Sequence, residues 1–286
     1  MTTRLKNFKF SLDRSWLFSN LILLFCTISS LTQAQGNLQV MPKRIVFEGS
    51  KRFQELNLAN IGQDSAQYSI SIVNYRMKEN GEFEEIHSPE PGLNFAGDYV
   101  RIFPRTVFLA PNEAQTVKVQ LTKTASLAPG EYRSHIYFRS VPQQVPPDGS
   151  TTSDSSNISI KLTPIFGLSI PVIIRAGEQS LSVTLSDCVV EKKNGIATLK
   201  VTLNRTGNIS AYGHLIASHI SPEGTVSQVG IARGLGIYTP NAKRHFQLTL
   251  DQTPGINFSS GRLAINYVAP EENKSEIITK TELVLR

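Results

Sequence analysis

The sequence predicts an all-β protein made of two immunoglobulin-like β-sandwich domains. Three observations carry that prediction. From Leu38 onward, apolar and polar residues alternate in short runs broken by turn residues, and no stretch holds a helical period. The runs fall into two series of seven, the strand number of an immunoglobulin-like sandwich. Only 18% of the 286 residues are charged, and Ser, Thr and Val are common, which suits half-buried sheets.

Residues 1–34 stand outside the pattern. A basic start, an apolar stretch from Trp16 to Leu31 and the small-x-small end Thr32-Gln33-Ala34 read as a signal peptide cleaved near Ala34. Ser19, Asn20 and Thr27 interrupt the apolar stretch, so stable membrane insertion is not expected and the mature chain is exported. Arg4, Lys6, Lys9 and Arg14 against Asp13 carry half of the formal +6 charge. The rest is weakly basic and lacks Lys/Arg runs with interleaved aromatics, which argues against a nucleic-acid partner. Cleavage leaves Cys188 as the only cysteine, so packed cores rather than disulfides must hold the fold.

The first series is expected at 43–48, 53–59, 67–75, 99–108, 114–121, 131–140 and 158–174. Its breaks are Glu48-Gly-Ser50, Asn60-Ile-Gly62, Glu79-Asn-Gly81, Ala110-Pro-Asn112 and Ala128-Pro-Gly130. A Pro-, Gly- and Ser-rich stretch, 142–157, reads as a long mobile hairpin loop before the last strand. That last strand, 158–174, would span roughly 55 Å, against the usual five or six residues. One of its faces carries Ile158, Ile160, Leu162, Pro164, Phe166, Leu168, Ile170, Val172 and Ile174. Pro164 and Pro171 lack the N–H an inner strand must donate, which places part of it at a sheet edge or bend. Such an edge either faces the core of its own domain or adds a strand from a partner.

Arg175-Ala-Gly-Glu-Gln179 marks the boundary between an N-terminal domain, 35–176, and a C-terminal domain, 177–286. The second series runs through 181–190, 196–203, 211–220, 225–233, 243–250, 261–268 and 275–285, with Lys193-Asn-Gly195 and Pro222-Glu-Gly224 as hairpin turns.

No catalytic constellation emerges. The histidines at 87, 135, 214, 219 and 245 show no metal-ligand spacing, and His214 and His219 fall on opposite faces of a strand. Cys188 lies in no nucleophile pattern, and no Gly-rich phosphate loop or Gly-x-Ser-x-Gly elbow occurs. No enzyme activity, metal or cofactor is expected.

Three segments of the first domain carry a resemblance. Pro42-Lys-Arg-Ile-Val-Phe-Glu-Gly49, Phe103-Pro-Arg-Thr-Val-Phe-Leu-Ala-Pro-Asn-Glu-Ala-Gln-Thr-Val-Lys-Val119 and Glu131-Tyr-Arg-Ser-His-Ile-Tyr-Phe-Arg-Ser-Val-Pro142 resemble the PapD-like periplasmic chaperones of pilus assembly. The resemblance covers most of residues 38–175; the second domain matches only in strand pattern. It implies a periplasmic chaperone that caps and folds pilus subunits by donating an edge strand until they assemble at an outer-membrane usher. The inserting face would use Ile160, Leu162, Phe166, Leu168 and Ile170. Arg44 would hold the subunit's terminal carboxylate, and Glu131 with Arg175 would form an ion pair at the domain junction. A second cleft cation, a lysine, is expected near position 171, where this chain has Pro171; Lys43 is one candidate to assist Arg44. An acidic partner for the junction pair is expected from the second domain but is not identifiable. A second copy of the chain is a further candidate partner, each copy capping the other's exposed strand. The alternative reading is an exported structural or adhesive protein in which 158–174 is internal.

Overall fold

The computed structural model describes residues 38–123, 127–142, 165–251, 256–270 and 276–285. The signal-peptide region, most of the expected loop and the first part of the long strand, with Ile160 and Leu162, lie outside the described residues.

The N-terminal sandwich faces one sheet against another. The first contains β1 (Leu38–Met41), β3 (Phe53–Asn60), β9 (Ala114–Leu121) and β7 (Val100–Phe103), in the order β1-β3-β9-β7. The second contains β2 (Ile45–Phe47), β11 (Gly167–Ala176), β10 (Gly130–Val141), β4 (Ala66–Val73) and β8 (Thr106–Leu109), in the order β2-β11-β10-β4-β8. Alternation along each strand sends one set of side chains inward. In β9, Val117, Val119 and Leu121 are buried, whereas Gln115, Thr116, Lys118 and Gln120 are exposed. Leu56, Leu58, Leu109, Ile136, Phe138, Val172 and Ile174 join them in one core.

Two expected strands divide where the chain crosses between sheets. The expected strand 43–48 shrinks to β2, and β1 precedes it in the other sheet; the crossing is Pro42-Lys43-Arg44. The expected strand 99–108 breaks at Pro104 into β7 and β8, which belong to opposite sheets. Both crossings contain a proline, which cannot donate to a continuing ladder. The expected strand 67–75 becomes β4 followed by β5 (Tyr75–Met77), and β5 pairs with β6 (Phe83–Glu85) in a hairpin apart from both sheets.

Gly177 begins the passage to the second sandwich at φ 74°, and a Cβ there would lie 2.8 Å from the Pro129 side chain. The second sandwich pairs β12 (Leu181–Lys193), β13 (Ile196–Gly207) and β16 (Lys243–Thr249) on one side. Opposite are β15 (Val226–Ile237), β14 (Ala211–Ile220), β17 (Arg262–Val268) and β18 (Ile277–Val284). Asn194 and Gly195 both take positive φ in the tight β12–β13 turn, as an Asn-Gly hairpin requires. Leu199, Leu203, Leu215, Ile237, Ile265 and Tyr267 anchor a separate core. Between the sandwiches Met77, Ile173 and Tyr238 form a small apolar cluster with Val46 packed against it. Among the described residues no helix is long and apolar enough to cross a membrane.

Candidate functional site: an open strand edge beside the cleft

β11 is paired along its length with β10, from Gly167 opposite Arg139 to Ala176 opposite Gly130. On its other side, among the described residues, β2 pairs with Val172, Ile173 and Ile174, and no other strand is paired there. The Ser140 N–H donates to the Phe166 carbonyl at 2.8 Å, so by alternation Phe166, Leu168 and Ile170 spend their backbone groups on β10. Gly167, Ser169 and Pro171 therefore turn theirs toward the open edge. Pro171 supplies a carbonyl there but no N–H, so it can sit at the point where the edge stops being free.

The apolar face of this strand passes from inside to outside. Ile170, Val172 and Ile174 belong to the sandwich core, Ile170 being 4% exposed. Leu168 and Phe166, on the same face, are 39% and 38% exposed. Ile170 therefore packs its own core and does not belong to the exposed inserting face; the sandwich ends between Ile170 and Leu168. Gly167 has its own reason: a Cβ there would overlap the Tyr137 ring, which lies across the backbone.

The opposite face of the sheet looks onto the second sandwich. Alternation in β10 puts Glu131, Arg133 and His135 on that face, and all three are buried. Glu131, 3% exposed, accepts hydrogen bonds from Arg175 Nε at 3.3 Å, the Ser210 N–H at 2.9 Å and Thr239 Oγ1 at 3.3 Å, and a short one from Ser210 Oγ. Arg175 also donates to Glu48 at 3.3 Å and to the Ser210 carbonyl at 3.3 Å. Glu131 and Arg175 thus meet at the junction. The partner the second sandwich supplies is not an acid but a backbone N–H and two hydroxyls, which suit a carboxylate already present.

Arg44 lies one residue before the Ile45–Val172 pair, which places it beside Pro171. Its guanidinium stacks 4.1 Å from the centre of the Tyr212 ring. Arg133, 2% exposed, stacks 4.6 Å from the centre of the Tyr238 ring, and its Nη2 donates to the Thr239 carbonyl at 3.5 Å. Among the described residues Arg44 Nε and Arg133 Nε and Nη1 are buried without a hydrogen-bond partner. Burial pulls both guanidiniums below the usual arginine range, with Tyr238 opposing the shift. Arginine does not give up its proton at such sites, so the shift marks two desolvated charges whose burial Tyr238 and Glu131 offset only in part. Lys43 is exposed, whereas Arg133 is buried beside Tyr238. Its signal was legible: Arg133 shares a strand face with Glu131. Ser210, Tyr212 and Tyr238 come from the second sandwich and carry no sequence signal of this role.

The β5–β6 hairpin closes the cleft from the side. Asn241 Nδ2 donates to the Met77 carbonyl at 2.7 Å, and the His245 N–H donates to the Glu79 carbonyl at 2.7 Å. Phe83 on this hairpin lies 5.6 Å from His135 and 6.0 Å from Tyr238, centre to centre. Among the described residues no group of three or more His, Cys, Asp or Glu is placed to hold a metal.

No family model and no curated protein matches this sequence. Solved structures do resemble its fold. The class 5 fimbriae chaperone CfaA is similar at 15% identity and TM-score 0.43, over 87% of this chain and 99% of that one. A structure of the CsuC–CsuE chaperone–tip adhesion subunit pre-assembly complex of Acinetobacter baumannii is similar at 12% identity and TM-score 0.43, over 88% of this chain and 100% of that one. The Salmonella enterica SafA pilin in complex with the SafB chaperone gives 12% identity and TM-score 0.42, over 88% and 98%.

Proposed function

We propose that this protein is an exported chaperone for pilus or fimbrial subunits, working in the periplasm without catalysis, metal or cofactor. One observation carries the reading. An apolar strand face that is core at Ile170–Ile174 continues past the sandwich to Leu168 and Phe166, on an edge that no other strand among the described residues pairs with before Val172. A strand edge of this kind gains affinity from main-chain hydrogen bonds and selectivity from alternate side chains. An incomplete sandwich subunit, lacking its last strand, offers the matching groove. Its terminal carboxylate would meet Arg44, with Arg133 as the second cation. Delivery to an outer-membrane usher would follow, the energy coming from subunit folding and polymerisation.

The test is co-purification from the periplasm of the native cell, using tagged mature protein beside a Phe166→Glu, Leu168→Glu variant. Both positions are exposed, so the fold should survive. Small incomplete-sandwich subunits that accompany the wild type and vanish with the variant support strand donation. Equal behaviour of the two, with no such subunit, would return the strand to a structural or adhesive role.

A further inference from the structure

The outer face of the β1-β3-β9-β7 sheet lies on the far side of the first sandwich from the cleft, because the other sheet turns its own outer face to Ser210 and Thr239 of the second sandwich. Alternation sends Leu56, Leu58, Ile102, Val117 and Val119 inward. It leaves Phe53 and Glu55 on β3, Lys118 and Gln120 on β9, and Arg101 and Phe103 on β7 pointing out. Both phenylalanines are open to solvent, Phe53 at 47% and Phe103 at 75% exposure. Register brings them together: Gln120 pairs with Phe53 and Arg101, and Lys118 pairs with Glu55 and Phe103. Two strand spacings across and one alternation along, the Phe53 and Phe103 Cα atoms lie about 12 Å apart. Met41, also exposed, extends the apolar surface onto β1 beside Asn57.

The charge on this face decides what it fits. Lys118 sits between the two rings, opposite Phe103 in register and with its Nζ 5.9 Å from the centre of the Phe53 ring. Arg101 is exposed on the next strand, and Lys51, just ahead of Phe53, is exposed too. Among the described residues Glu55 is the one acid at the outward positions of these four strands. A protein partner would have to strip water from a lysine at the centre of the contact, and the cores of protein interfaces are depleted in lysine for that reason. A bilayer surface accepts both groups at once. Aromatic rings enter the boundary between headgroups and acyl chains, while the cations stay among anionic headgroups.

We propose that this face docks on anionic lipid bilayers, Phe53 and Phe103 entering the interface and Lys51, Arg101 and Lys118 meeting the acidic headgroups. The inference does not rest on strand docking. A molecule held this way keeps β11 and the cleft on the aqueous side, because the docking face is the one turned away from them.

The test is co-sedimentation of the mature protein with vesicles of phosphatidylcholine alone and with vesicles of phosphatidylcholine and phosphatidylglycerol in equal parts. Binding is expected to the mixed vesicles only, and it should fall as salt rises. Lys118→Gln should weaken it about fivefold, the factor one basic residue contributes near an anionic surface. Phe103→Ser should weaken it about tenfold, the scale of removing a ring from the interface. Glu55→Gln should instead strengthen it about fivefold, a gain that no loss of folding can produce. Equal binding to both kinds of vesicle, binding to neither, or variants that bind as the wild type does would overturn the proposal. So would a dimer, seen by analytical ultracentrifugation without vesicle binding and abolished by Phe103→Ser, which would assign the face to a second copy of the chain.

Discussion

Replacing Glu131 with Gln tests what couples the two sandwiches. The substitution keeps the shape of the side chain and removes its charge. The native carboxylate has no exposed side-chain surface and accepts from Arg175, Thr239 and both donors of Ser210. An amide at that place offers one acceptor oxygen, and its NH2 faces groups that are themselves donors. Hydrogen bonds to a charged group contribute about 1.5–3 kcal/mol each, and removing one partner of a buried pair costs about 3–5 kcal/mol. The costs do not sum, because Arg175 keeps Glu48 and the Ser210 carbonyl. The expected loss is therefore about 3–5 kcal/mol, read from urea unfolding of the mature protein. Because the lost contacts join separate cores, the transition should also broaden or split into two steps. A loss below about 1 kcal/mol with an unchanged single transition would refute the argument that Glu131 holds the junction.

Other outcomes follow from the same geometry. Removing a buried charge whose desolvation Tyr238 and Glu131 offset only in part should relieve that cost, so Arg133→Met should leave the free protein as stable or about 1 kcal/mol more stable while weakening client capture; a large fall in melting temperature would contradict this. His135 has a folded-state pKa of about 3 against 6.5 when unfolded, so the unfolded chain binds the extra proton between those values. Its contribution is complete above pH 6.5 and shrinks as pH falls, by about 3 kcal/mol at pH 4, and His135→Phe should flatten that part of the pH–stability curve relative to wild type. Ile170→Ala should cost about 2–5 kcal/mol as a core truncation, whereas Leu168→Ala should cost under 1 kcal/mol, and similar losses at both would misplace the point where the strand leaves the core. Arg44→Gln should abolish retention of clients with a free terminal carboxylate at unchanged thermal stability, measured by co-purification and a melting curve; unchanged retention would remove Arg44 from the site.

Alternation made the sandwiches legible because a strand with one buried face must alternate. It did not show where along a strand the core ends. Phe166, Leu168 and Ile170 look equivalent in sequence, yet one is core and two are exposed. The break at Pro104 carries two signals, the missing N–H and a slip of phase, since the buried positions pass from Val100 and Ile102 to Val107 and Leu109. The β5–β6 hairpin was missed because Phe83-Glu84-Glu85 are all exposed and so carry no burial pattern. At the cleft, Arg44, Glu131 and Arg175 were reached through a resemblance, and Arg133 could have been reached by counting along the strand from Glu131. Ser210, Tyr212 and Tyr238 could not, since which turns of the second sandwich abut the first is decided by tertiary packing.

Pro171 gives the free edge a terminus. Beyond it β2 already occupies the ladder, starting just after Arg44, so an arriving strand and β2 must lie end to end along one side of β11. A chain whose last carboxylate reaches Arg44 is then parallel to β11 and cannot advance further, because the next rung is taken. Displacement by one residue would swap every side chain to the wrong face. On the strand-docking reading proposed above, the corner at Pro42-Lys43-Arg44 would act as a mechanical stop that sets the register of what docks, converting the position of a chain end into the alignment of an entire strand.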